Sequence, residues 1–195
     1  MKLTVRRSLI LAIFMSLTGS MSGQGSMFYF TSTPQSTIGQ GETFTASSTN
    51  GFTITAERNS HNGVSIVIVS ETRYWFLDFA APGDAPLASG QYNNVTLWPT
   101  SSGGSPMMSF SGEGRNVTSI SGSFNVLAID YGPGNAINRF DADFTQYDGG
   151  DLAQANQGMF RFDFSPVPEP GAVPLIAVGI IGFLALKSRR RQIRP

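Results

Sequence analysis

Ile137-Asn-Arg-Phe-Asp-Ala-Asp-Phe-Thr-Gln-Tyr147 and Gly158-Met-Phe-Arg-Phe-Asp-Phe164 decide the fold. In the first stretch Phe140, Ala142 and Phe144 fall on one side and Asp141 and Asp143 on the other. In the second, Phe160, Phe162 and Phe164 oppose Arg161 and Asp163. Successive side chains of a strand point to opposite faces, so each stretch makes a strand with one apolar and one polar side. That is the pattern of an antiparallel sheet packed on a core on one face and wet on the other. Asp148-Gly-Gly-Asp151 lies between them and supplies a turn.

The same reading extends upstream. Runs rich in β-branched and aromatic residues occur at Gly51–Glu57, Val64–Ser70, Tyr74–Phe79, Tyr92–Trp98, Met107–Ser111 and Ser121–Asp130. Turn signals separate them: Asn62-Gly63, Ala81-Pro-Gly-Asp84, Ser102-Gly-Gly-Ser-Pro106 and Gly132-Pro-Gly-Asn135. No stretch of 26–165 has helical periodicity. Many short strands at this spacing predict an all-β, antiparallel β-sandwich or jelly-roll-like domain, with 15 Phe residues available for its core.

The formal net charge is zero, but the charges are segregated. Lys2, Arg6 and Arg7 stand at the start and Lys187, Arg189, Arg190, Arg191 and Arg194 at the end. Residues 8–186 hold five basic residues against thirteen acidic, a balance of −8. An acidic domain argues against a nucleic-acid partner, because phosphate contacts need clustered Lys and Arg. With no cysteine, disulfides, Cys-ligated metals and thiol nucleophiles are excluded.

Residues 1–25 read as a signal peptide: a basic start, the apolar Leu9–Leu17, then small residues from Thr18 to Gly23. At the other end, Gly171 to Leu186 carries no charge. As a helix it would span roughly 24 Å, short for a ~30 Å hydrocarbon core but closable by snorkelling of Lys187. The basic block of residues 187–195, with Lys187, Arg189, Arg190 and Arg191, then acts as a stop-transfer tail held in the cytoplasm. Ahead of the span, Pro166, Pro168 and Pro170 keep Ser165–Pro170 extended and bar helix formation.

Val167-Pro168-Glu169-Pro170, an apolar span and an arginine cluster, in that order, resemble the PEP-CTERM family of bacterial sorting signals. The resemblance implies an exosortase-type membrane processing enzyme as a partner, acting at the Pro-Glu-Pro segment. It also implies a transient inner-membrane anchor. Delivery would then be to the cell surface or extracellular polysaccharide of a Gram-negative-type bacterium.

The domain of residues 26–165 resembles, more loosely, a secreted bacterial β-rich domain often carried by PEP-CTERM proteins. The resemblance rests on Ile38-Gly39-x-Gly41, Trp75 to Pro82, Leu87 to Tyr92, Phe110 to Arg115, Gly122-Ser-Phe124-x-Val126 and Ala142-Asp-Phe144-x-Gln146. The pattern carries two cysteines where this chain has Val117 and Asp148, so a bridge there has no counterpart. The resemblance brings no activity.

Candidate chemistry is sparse, and neither catalytic residues nor cofactors are assigned. His61, the single histidine, lies in the polar turn Arg58–Gly63, where a solvated role outweighs that of a catalytic base. Glu42, Glu57, Glu71 and Glu113 are available as glycosidase carboxylates, but none sits in a recognisable motif. No metal is expected. The nearest thing to a calcium site is Asp141, Asp143, Asp148 and Asp151, whose spacing is not that of an EF-hand loop.

For a ligand platform the candidates are Trp75, Trp98 and Tyr92, with Tyr74 and Tyr131, because aromatic faces pack on apolar sugar faces. Alternation sends Tyr74 and Phe76 one way and Trp75 and Leu77 the other, so one pair is exposed if one face is wet. The expectation is a non-enzymatic surface protein, structural or adhesive in exopolysaccharide or biofilm. A carbohydrate-binding module is the alternative and a glycoside hydrolase the third reading.

Overall fold

Phe140, Phe144, Phe160 and Phe162 all point into the core, as their alternation predicts. The computed structural model describes residues 25–100 and 104–163. The signal-peptide segment, the Pro-rich motif, the apolar span and the basic tail lie outside the described residues. The strands are β1 (Met27–Ser32), β2 (Thr43–Ser47), β3 (Thr53–Arg58), β4 (Val64–Val69), β5 (Tyr74–Ala80) and β6 (Gly90–Asn93). They continue with β7 (Thr96–Leu97), β8 (Met107–Gly112), β9 (Ile120–Tyr131), β10 (Ile137–Asp148) and β11 (Ala155–Asp163). The helical content of the described residues is a single 3-10 turn, Pro82–Asp84.

The strands form two sheets, ordered β2-β1-β11-β10-β9-β6 and β3-β4-β5-β8-β7. Every pairing is antiparallel except β7 with β8. The result is sandwich-like and all-β. The longest strands, β9, β10 and β11, lie side by side, and β10 and β11 carry the alternation that the sequence showed most clearly.

Two strands beyond the predicted runs, β1 and β2, complete the six-stranded sheet. β1 pairs with β11 on one side and β2 on the other, with Phe28 and Phe30 fully buried. The run at Tyr92–Trp98 is broken rather than continuous. Asn94 takes a positive φ of 55°, Val95 turns into the core, and the chain passes from β6 in one sheet to β7 in the other.

The core is aromatic. Trp75 stacks on Phe110 at 5.2 Å and meets Phe30 edge-on at 4.8 Å. Phe79 touches Phe124 and Phe140 across the gap between sheets. Each such side chain, fully buried, stabilises the fold by about 1.5–3 kcal/mol. Gly112 is required beside this cluster, because a Cβ there would overlap the Trp75 ring and the Tyr74 carbonyl.

Two buried polar side chains tie the layers together. Gln146 on β10 accepts from Phe110 N at 2.9 Å and donates to Phe110 O at 3.1 Å, reaching across to β8 as an extra strand neighbour would. Asp148, fully buried, accepts from Ser36 Oγ (2.8 Å), Ile38 N, Gln146 Nε2 and Asn156 Nδ2 (each 3.0 Å). These bonds pin the loop between β1 and β2 to the six-stranded sheet.

Candidate functional site

A sandwich has two outer faces, and here they differ. On the five-stranded sheet, β4 and β5 turn Val67, Val69, Tyr74 and Phe76 outward, each 38–39% exposed. Register places Val67 opposite Phe76 and Val69 opposite Tyr74, so the four are contiguous. The Tyr74 and Phe76 rings lie 5.7 Å apart. Thr53 and Thr55 of β3 and Ser111 of β8 border this patch.

Asp78 stands at one end of that face, hydrogen-bonded by the Ser65 hydroxyl. Burial pushes its carboxyl up to about 6, against the opposing effect of the Ser65 bond. At the other end Arg73 holds Glu42 by two bonds of 2.6 and 2.9 Å and approaches Glu113 at 3.5 Å. The Glu42 bond is the main reason the Arg73 guanidinium is held above its usual range.

The outer face of the six-stranded sheet is polar. The register aligns Asn93 (β6), Ser123 (β9), Thr145 (β10), Gln157 (β11), Thr31 (β1) and Thr43 (β2) in one row across all six strands. At strand spacings of about 4.8 Å this row runs roughly 24 Å. Gln91, Asn125 and Asp143 stand beside it, and Asp143 is paired with Arg161 at 2.6 Å. A depression of about 180 Å³ opens among Gln91, Ser123, Asn125, Asp143 and Thr145.

The structure redistributes the residues singled out from sequence. Trp75 does not face a ligand: it is fully buried, and the exposed pair is Tyr74 and Phe76. Parity decides this, because Trp75 shares its face with Leu77 and Phe79 over the core. Tyr92 also points inward, its ring stacked on Phe124 at 4.6 Å and its hydroxyl bonded to both Ala88 N and Ala88 O. Trp98 is half-buried, edge-on to His61 at 6.3 Å, with its indole nitrogen buried and unpartnered. The three rings form no common platform.

Asp141, Asp143, Asp148 and Asp151 are not brought together either. Asp148 lies on the core face of β10, while Asp141 and Asp143 lie on the outer face, bonded to Arg139 and Arg161. Asp151 spends its carboxylate on the turn, accepting from Ala153 N at 2.9 Å.

His61 Nδ1 meets Asp84 Oδ1 at 2.7 Å, and Asn62 Nδ2 donates to Asp84 O. Ser65, the nearby hydroxyl on β4, is turned to Asp78 instead. Of the four glutamates, Glu42 and Glu113 do converge, but on Arg73, which engages both.

What the described residues define is a domain class: an all-β sandwich with one apolar and one polar open face, set ahead of a C-terminal sorting segment. The family model described as the PEP-CTERM protein-sorting motif matches residues 166–191, so the C-terminal segment carries a PEP-CTERM sorting motif. The motif implies export, with recognition and processing at the membrane by an exosortase-type enzyme. The match is confined to the C-terminal segment, so it speaks to sorting and not to the sandwich. No curated protein and no solved structure matches the chain.

Proposed function

We propose that the protein is a non-enzymatic component of the cell surface or extracellular matrix, structural or adhesive within exopolysaccharide. The observation that carries this reading is the sorting-motif match at residues 166–191 behind a sandwich. Two features of the domain support it. Most carboxylates of the described residues, Glu42, Glu113, Asp141, Asp143 and Asp148 among them, are engaged in ion pairs or a buried network. Its outer faces are apolar and hydroxyl-rich, which suits contact with polymers better than small-molecule chemistry.

On this reading the sandwich crosses the membrane first, the apolar span holds it there, and cleavage near Val167-Pro168-Glu169-Pro170 releases it. Mass spectrometry of the mature C-terminus from an exosortase-bearing host tests the scheme. The wild-type chain is expected to lose its apolar and basic tail, and Glu169→Ala to retain it in the membrane fraction. An intact tail on the unmutated, exported protein refutes the proposal.

A further inference from the structure

We infer that the outer face of the six-stranded sheet is a binding surface for an uncharged polysaccharide chain. The chain would lie across the strands along Asn93, Ser123, Thr145, Gln157, Thr31 and Thr43. This deepens the matrix reading above and rests on it.

The first ground is chemical. Each of these six side chains is an amide or a hydroxyl, able both to donate and to accept. Sugar hydroxyls have the same dual capacity. A charged face would instead select ions. Internal bonds within the row are confined to its ends, between Thr31 and Thr43 at 3.2 Å and from Gln91 to Asn93 at 3.3 Å. The side chains of Ser123, Thr145 and Gln157 make no hydrogen bond among the described residues and are available to a ligand.

The second ground is charge. Soluble domains normally intersperse Lys, Arg, Glu and Asp over a wet surface. Here six strands pass without one charge in the row. The nearest carboxylate in the adjoining row, Asp143, is neutralised by Arg161. A polyanion would find no cation in the row and an acidic domain around it, so the polymer that fits is neutral.

The third ground is shape. Side chains along the row repeat at the strand spacing of about 4.8 Å, so an extended chain lying across the strands meets a polar group at every strand it crosses. The depression of about 180 Å³ beside Thr145 is too small to enclose a drug-sized ligand, which takes roughly 300–1,000 Å³, but it suits one ring of a longer chain. Tyr147 stands next to Thr145 on β10 and Tyr29 next to Thr31 on β1, both on the same face and half-buried. They give the row an aromatic flank at each side for the apolar faces of sugar rings.

The test is affinity electrophoresis of the full-length chain in a mild nonionic detergent. Native gels carry dextran, hydroxyethylcellulose, galactomannan or xyloglucan, with alginate as the polyanion. At least one neutral polymer is expected to retard the wild type, and alginate is not. Gln157→Ala, on an exposed side chain, is expected to weaken retention roughly tenfold, the effect of one lost hydrogen bond. Thr145→Lys, a single charge placed at the centre of the row, is expected to abolish retention with little change in melting temperature, whereas Thr145→Ser retains it.

Three results overturn the inference. One is no retardation by any neutral polymer, and another is equal retardation by alginate. The third is loss of retention through Tyr74→Ser with Phe76→Ser, which would assign the glycan to the opposite face. Tail processing is read separately on the same strain. A processed, extracellular protein that no polymer retards sinks this inference and leaves the sorting scheme standing.

Discussion

Replacing Asp148 by Asn is the sharpest probe of how this sandwich is held. The side chain is fully buried, and its two oxygens take four hydrogen bonds: Oδ2 from Ser36 Oγ and Ile38 N, Oδ1 from Gln146 Nε2 and Asn156 Nδ2. An amide keeps the shape but turns one oxygen into a donor. Whichever way it flips, two of the four donors then face an N–H₂ group. Each buried donor left without a partner costs about 1–3 kcal/mol, so the substitution should cost about 2–5 kcal/mol after local relaxation. In a domain of this size each kcal/mol lowers the melting temperature by roughly 3–5 °C, giving a drop on the order of 10 °C. Thermal unfolding of the purified chain by circular dichroism measures it, with Asp151→Asn as an exposed control expected to change little. An Asp148→Asn protein that melts within about 2 °C of wild type would refute the claim that this network pins the β1–β2 loop.

Asp78 gives the fold a pH dependence of definite sign. Its folded carboxyl titrates at about 6 against an unfolded value of 3.8. The folded state therefore binds the proton more tightly, and the stability from this group is full below pH 3.8 and lost as pH rises through 6. The loss is about 2–3 kcal/mol, and Asp78→Asn should flatten the slope of urea midpoints between pH 4 and 7. Gln146→Ala removes both cross-sheet bonds to Phe110 and leaves its N–H and C=O buried, for a loss of about 2–4 kcal/mol in equilibrium unfolding. Trp75→Ala should cost about 3–5 kcal/mol by the same measurement, since the ring is core and not platform. Chelator is expected to leave the melting temperature unchanged, because Asp148 faces away from Asp141 and Asp143; a clear drop would show a bound cation.

How much of this was readable beforehand depended on asymmetry between strand faces. In β10 and β11 one side is Phe and the other charged, so strand, register and core face all follow from the letters. In β4 and β5 both sides are apolar: Ile66 and Ile68 against Val67 and Val69, Trp75 and Leu77 against Tyr74 and Phe76. Alternation there separates two sets without saying which is inside, and the larger Trp75 goes to the core. β1 reads Met-Phe-Tyr-Phe, so its first four residues carry no apolar–polar alternation to mark a strand or its inner face.

Asp148 and Gln146 were legible in principle. They continue the parity of Phe140, Ala142 and Phe144 into the core, but a carboxylate is buried only if donors await it. Two of its four donors come from Ser36 and Ile38, 112 and 110 residues away. The polar row across the six-stranded sheet is hidden for a related reason. Its members sit on six separate strands, and only the pairing order puts Thr31 and Thr43 in line with Thr145 and Ser123.

The strand that leads into the sorting segment is not at a margin. β11 lies between β1 and β10, paired with β10 from Ala155 to Asp163 and with β1 from Asn156 to Arg161. Tension applied through residue 164 therefore pulls along the axis of a central strand. The two ladders must slide past β11 together, because neither can be peeled from it one bond at a time. A load applied to the C-terminal end of β11 along the strand meets both ladders in shear, so the domain resists it more strongly than a load that peels an edge strand.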